Sequence, residues 1–439
     1  MRATCVLAAL LAPTLLQPVT SVTDPPDLAA RLPELRRNLD EAVIAYWYPA
    51  SVDRQQGGYA IASDDEGRLV RSTERMIVSQ ARMLWLSARL ARAGHRVEEM
   101  KRAAAHGYAF LRDRMWDAEH GGFYWEVDAA TGRPVQASKH LYAQAFGLYA
   151  LSEYVLATRD RSALDLATTL VDTIERRAHD AESGGFREYF ARDWSSLPPD
   201  TPSPVGGTAD MKLMNTHLHL MEAFATYVRV SDSPLARARL DELITIQSNA
   251  VVRKDLPACT DRYRRDWTPI LDEAGARVSY GHDLENIWLL ADAVDAAGRP
   301  TAPLLDLYRG LFAYSMRYGF DEAEGGFFES GPFERPADRR NKVWWVQAEA
   351  LVSALTMYRL TGHASYARVF ERTWTFVNEK QTDRQAASGT PSSCRTGQWA
   401  DARPPRGKRG ITTAGRCWRA FGSSRRLIRT PPWPGQSDS

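Results

Sequence analysis

"EHGGFYWEV", Glu119 to Val127, is one of four versions of a single phrase in this chain; the others are "QQGGYAIA" from Gln55, "ESGGFREYF" from Glu182 and "AEGGFFES" from Ala323. Gly57, Gly121 and Gly184 stand 64 and 63 residues apart, and Gly325 follows 141 later, about twice that period. Recurrence at a fixed interval marks a repeat architecture, in which a unit buries its apolar face only against its neighbours. A degenerate copy, "ACTDRYRRDW" from Ala258, fills part of the gap.

Between the glycine phrases lie helical patterns, such as "MIVSQARMLWLSARLARAG" (Met76 to Gly94) and "HLYAQAFGLYALSEYVLATRD" (His140 to Asp160), with apolar residues at i, i+3, i+4 and i+7. Each unit reads as a short hairpin on a glycine turn followed by two helices. Gly94, Gly298 and Gly362 sit where helices should stop. Five units run from residue 40 to about 380, and six of that length close a ring. The expected fold is all-α: an (α/α)6 barrel, a toroid of helix hairpins, with short β-hairpins on one rim. That fold by itself names no activity.

A hydrophobic share of 44% and a charged share of 25% are those of a globular protein. The net charge of +2 offers no electrostatic hold on nucleic acid. The start, "MRATCVLAALLAPTLLQPVTS", joins Arg2 to an apolar stretch from Cys5 to Leu16 and small residues at Val19 and Ser21. It is too short to span a bilayer, so residues 1–21 are expected to be a secretory signal and the protein to be exported, periplasmic or secreted. Were that signal not real, the location would be cytoplasmic. No other segment reads as a membrane span. Cys5, Cys259, Cys394 and Cys417 show no metal-binding spacing. No feature assigns an oligomeric state.

The candidate chemistry begins in "NTHLHLMEAF", Asn215 to Phe224. A helix turns about 100° per residue, so His217 and His219 face different surroundings, and only His219 shares a face with Asn215 and Glu222. His217, with Leu213 and Met221, reads as a packing residue. "SYGHDLENIWLLADA" supplies a second pair, His282 with Glu285. A lone histidine on an apolar helix is ordinarily core. Two of them 63 residues apart, each with Glu at i+3, are expected at comparable places on neighbouring hairpins. Imidazoles from two helices suit proton transfer near neutral pH. A di-metal reading lacks the Glu-first ExxH order, so no metal is expected. Arg82 interrupts an apolar helix and calls for an anionic or oxygen-rich partner. Tyr142, Trp344, Trp345 and Glu349 offer stacking walls and hydrogen bonds for a sugar.

In this order and spacing, "QARMLW", "MNTHLHLMEAF", "GHDLENIWLL" and "KVWWVQAEAL" resemble the cellobiose 2-epimerase branch of the N-acylglucosamine 2-epimerase superfamily, over about residues 35–385. The resemblance implies an (α/α)6 barrel that interconverts glucose and mannose at the reducing end of β-1,4-linked disaccharides, without metal or nucleotide cofactor. It implies that His282 exchanges the C2 proton, that Glu285 supports it, and that His219 assists ring opening. Arg82, Tyr142, Asn215 and Trp345 would hold the substrate.

It also implies a third histidine near the C-terminus, in a "W...YH" segment, and this sequence has no histidine after His363. Residues 22–385 are expected to form the epimerase domain with its last repeat truncated. Residues 372–385, "RTWTFVNEKQTDRQ", read as the start of a sixth unit, and 386–439 as a basic tail without helical period. Read one frame over with chosen GC-rich codons, "AASGT" becomes GEWY and "RGKRGITTA" becomes GEAWDYHS. A one-base change near codon 385 is the expectation, with poor folding and little epimerisation in the chain as written. The alternatives are an N-acylglucosamine 2-epimerase or an aldose-ketose isomerase. A different class is an inverting glycoside hydrolase using Asp210, Glu285 or Glu349, or a non-catalytic sugar-binding protein.

Overall fold

The glycine phrases fold alike, and their chemistry explains the repeat. In the computed structural model, which describes residues 25–63, 69–70 and 72–382, an aspartate four residues before the first glycine opens each turn: Asp53, Asp117, Asp180 and Asp321. Its N–H donates to the carbonyl of the second glycine at 2.8–3.1 Å, and its own carbonyl accepts from the first. Gly121 and Gly122 both lie at positive φ (75° and 74°), and a Cβ on Gly122 would approach the Trp194 ring to 2.7 Å. Only glycine meets both demands.

Each aspartate is also a clasp. One oxygen caps the turn, as Asp117 does for the N–H groups of Glu119 and His120 (3.2 and 3.3 Å). The other binds a buried cation: Arg75 (2.9 Å), Lys139 (3.0 Å), Lys212 (3.0 Å) or Lys342 (2.8 Å). Five residues after each cation, a side chain in the first turn of a helix clips the strand that follows the glycines. Gln80, Gln144 and Gln347 accept from the N–H and donate to the C=O of Tyr59, Phe123 and Phe327 at 2.7–2.9 Å. In the third unit His217 takes this place: Nε2 accepts from the Phe186 N–H (3.0 Å) and Nδ1 donates to the Leu213 carbonyl (2.9 Å). The packing role expected of His217 is thus a specific one. The degenerate copy proves to be a fifth turn, since Val252 bridges Cys259 as Val52 bridges Tyr59.

Helix α1 (Leu32–Arg37) runs on through a π-helical turn, Asn38–Ile44, to Ala45–Trp47. Five inner and outer pairs follow: α2 (Ile77–Ala93) with α3 (Val97–Phe110), α4 (Leu141–Thr158) with α5 (Arg161–Ala178), α6 (Met214–Tyr227) with α7 (Pro234–Thr245), α8 (Tyr280–Ala296) with α9 (Leu305–Gly319), and α10 (Trp344–Thr361) with α11 (Ala364–Phe376). Helix α4 is buried around nearly its whole circumference, as an inner helix must be, whereas α5 buries only a stripe: Ala163, Ala167, Leu170, Val171, Thr173, Ile174 and Ala178. Asp160 caps α5 by accepting from the Ser162 N–H at 2.8 Å. Successive inner helices pack side by side from α2 to α10.

The outer layer closes head to tail. Arg31 pairs with Glu371 (3.0 Å), and Glu34 accepts from the Trp374 indole (3.0 Å). Residues 372–376 therefore finish α11, and 377–381 form the π-helical turn after it. They complete the fifth unit rather than begin a sixth, because buried Phe370, Trp374 and Phe376 tie them to the core. None of the described residues fills the sixth inner position, between α10 and α2. The expected signal, 1–21, and the tail, 386–439, lie outside the described residues. No helix among the described residues is long and apolar enough to cross a membrane.

Candidate active site

Two residues past each clip a helix has turned about 200°, so the side chain there points away from the strand and into the ring. Counting from Gln80, Gln144, His217, Asp283 and Gln347, that position holds Arg82, Phe146, His219, Glu285 and Glu349. All five are buried. They make the floor of the ring's interior, with His219 against Phe146 and Glu285, and Arg82 over Phe146. Three or four residues nearer the helix starts, half-buried, stand Tyr142, Asn215, His282 and Trp345, the mouth of that interior, where His282 and Trp345 line a cavity. The structure thus brings the residues singled out from the sequence into two layers. Trp344 and Trp345, read alike, part company, since only Trp345 shares the face of Glu349.

Within the floor, His219 Nδ1 bonds Glu222 Oε2 at 2.9 Å, and its Nε2 lies 3.9 Å from Glu285 Oε1. The His219 ring is flanked by Tyr142, edge-on at 5.2 Å, and by Phe146 at 4.7 Å. The Arg82 guanidinium lies 4.0 Å over the Phe146 ring. Glu349 accepts from the Trp288 indole N–H at 2.8 Å. So many charges out of water hold only if they serve each other or a polar ligand. At the mouth the His282 and Trp345 rings tilt against each other at 4.9 Å, and the Asn215 N–H donates to Asp261 at 3.1 Å. A cavity of about 240 Å³ opens beside them, lined also by Cys259, Arg277, Asp283 and Glu329.

One expectation is corrected. His219 and His282 do not occupy comparable places: His219 lies two residues after its clip, His282 one residue before. The clips His217 and Asp283 stand 66 residues apart, so the 63-residue interval joins two positions that are three residues out of register. Asp210, offered as a hydrolase carboxylate, is exposed on the loop between Phe190 and Lys212 and bonded to Thr208. It takes no part in the floor. Trp288 was missed; its one signal was the i+3 spacing from Glu285 inside a stretch that reads as core. Among the described residues no group of three His, Cys, Asp or Glu is placed to hold a metal ion.

The whole arrangement has solved counterparts. A cellobiose 2-epimerase structure from Bacillus thermoamylovorans matches with a TM-score of 0.77 and 26% identity, over 91% of this chain and 100% of that one. In sequence, the chain is 29% identical over 364 residues to a cellobiose 2-epimerase of Dictyoglomus turgidum, covering 82% of this chain and 90% of that protein. A D-mannose isomerase of Marinomonas mediterranea is 23% identical over 390 residues, 86% of this chain and 94% of that protein. The family profile described as N-acylglucosamine 2-epimerase matches residues 57–408, on past the boundary at 385. With fold, repeat and most of its length in agreement, the chain belongs to the N-acylglucosamine 2-epimerase family.

Proposed function

We propose that the protein epimerises C2 of the reducing-end glucose of a β-1,4-linked disaccharide such as cellobiose. Once the sugar ring is open, the C1 aldehyde acidifies the C2 proton. His282 takes that proton; the C–H electrons form the C1–C2 double bond and leave negative charge on O1, giving a cis-enediolate. Arg82 faces that developing charge. His219, fixed by Glu222 at 2.9 Å, assists ring opening, and Glu285 supports His282. Tyr142, Asn215, Trp345 and Glu349 hold the hydroxyls and faces of the sugar. Reprotonation of C2 from the opposite face gives the mannose end-group. The observation that carries this reading is the pair of histidines, one in the floor and one at the mouth, over a buried arginine and carboxylates.

Opposite-face delivery requires a second acid, and the histidine that the family resemblance assigns to it has no counterpart after His363. The one-base change near codon 385 accounts for this. Sequencing codons 380–390 tests it: an intact frame with no overlapping GEWY and YH reading removes the idea. Activity is tested with cellobiose in D2O, on the chain as written and with the frame restored. The restored enzyme is expected to yield deuterium at C2 and a mannose end-group, and the present chain C2 exchange with little or no inversion. A ketose end-group would assign isomerisation, the reaction named for the D-mannose isomerase relative. Free glucose would assign hydrolysis, and no reaction would leave sugar binding alone.

A further inference from the structure

The fourth unit departs from the other four at three matched positions. Where Asp53, Asp117, Asp180 and Asp321 stand it has Arg253; where the buried cations stand it has Val278; where the glutamines or His217 stand it has Asp283. Asp283 still clips the strand, since the Cys259 N–H donates to its Oδ1 at 3.0 Å. Its Oδ2 is buried and has no hydrogen-bond partner among the described residues. None of the ion pairs among those residues involves Asp283.

A glutamine clip needs an acceptor and a donor on one planar group. In the fourth unit only the accepted bond is made, and a buried carboxyl oxygen with neither donor nor cation beside it favours the neutral acid over the carboxylate. We propose that Asp283 is a neutral carboxylic-acid clip, a positioning residue that fixes the first turn of α8, and with it His282 and Glu285, to the rim. The catalytic part of this assignment rests on the function proposed above; the protonation does not.

The surroundings agree. Asp283 faces the buried Cys259 thiol on the strand, Tyr280 on its own helix and Tyr314 on α9, none of them a cation. His282 and Arg277 line the adjoining cavity, and Arg277 is engaged with Asp338. Burial pushes the Asp283 carboxyl up to about 8, against the pull of Cys259. A raised value means that the folded state keeps a proton the unfolded state releases. Stability from this site is then complete below the ordinary carboxylate range and falls as pH rises from about 4 to about 8.

The test uses the full chain with Asp283→Asn, which keeps acceptor and donor without a charge, and Asp283→Leu, which keeps neither. The unfolding temperature of D283N relative to the parent is expected to rise steadily from pH 4 to pH 8. The infrared difference between the two should show a protonated carboxyl band. His282 ring resonances should stay in place in D283N and move in D283L. A parent that gains on D283N as pH rises, or shows no relative change, overturns the proposal, as does a carboxylate band at pH 6. Should no variant exchange deuterium at C2, the proposed reaction fails while these three readouts still decide the clip.

Discussion

Helices α6 and α8 both bring a histidine to the interior of the ring, but they are anchored by opposite means. Lys212, ahead of α6, binds Asp180 at 3.0 Å, Arg265 closes over the same carboxylate at 2.8 Å, and His217 clips the strand. Ahead of α8 the matching residues are Val278 and Arg253, and the clip is Asp283. The floor residue then differs too: His219 on α6, Glu285 on α8. In α8 the histidine is displaced to the mouth, against Trp345. One scaffold with one register therefore supplies a carboxylate-paired imidazole deep in the ring and an accessible one at its entrance. Different environments for two imidazoles are what a ring-opening step followed by C2 proton transfer calls for.

The largest effect should come from breaking the charged anchor. Lys212→Met leaves Asp180 with the half-exposed Arg265 and the N–H groups of its own turn, and is expected to cost about 3–5 kcal/mol, read by denaturant unfolding. A cost below about 1 kcal/mol would mean that the clasp does not hold the unit. The two anchors also differ in pH dependence. Arg265, then Lys212 and the Ser183 N–H, hold the Asp180 carboxyl well below the usual range despite its burial. Its contribution is present above the ordinary carboxylate pKa and is lost as pH falls through the acid range. The Asp283 anchor behaves with the opposite sign, so Asp180→Asn and Asp283→Asn should diverge in acid and alkaline unfolding scans.

A smaller effect is expected in the floor. Trp288→Phe removes the indole donor from buried Glu349, which should cost about 1–3 kcal/mol and lower sugar affinity together with rate. Unchanged affinity would place Glu349 outside the sugar site. The smallest effect sharpens the comparison most. His217→Gln restores the clip used by three other units and should leave stability within about 1 kcal/mol and C2 exchange intact. A lost reaction would make His217 more than a clip.

The ring was legible because the glycine pair, its spacing and the apolar periodicity report backbone needs that only local sequence can meet. Arg82, His219, Glu285 and Glu349 were legible as polar residues on apolar faces. Their shared position was not, since the spacing of the clips varies from unit to unit, and 66 residues between His217 and Asp283 lent His282 a false equivalence with His219. Trp288 was hidden because a buried indole looks like core until its N–H is seen to reach Glu349. The part played by Asp283 depends on Cys259, 24 residues earlier, beyond a turn that has lost its glycines. No periodicity marks such a contact. The sixth inner position raises a different matter, and the proposed sequencing of codons 380–390 tests what the gene can supply there.

The central claim is that His282 removes the C2 proton. It is tested most directly by incubating cellobiose in D2O with the frame-restored enzyme, its His282→Asn variant and its His217→Gln variant, and following deuterium at C2 by NMR. The expected result is exchange in the parent and in H217Q, and a fall of about 10²–10⁴-fold in H282N. Exchange in H282N at the parent rate would contradict the account.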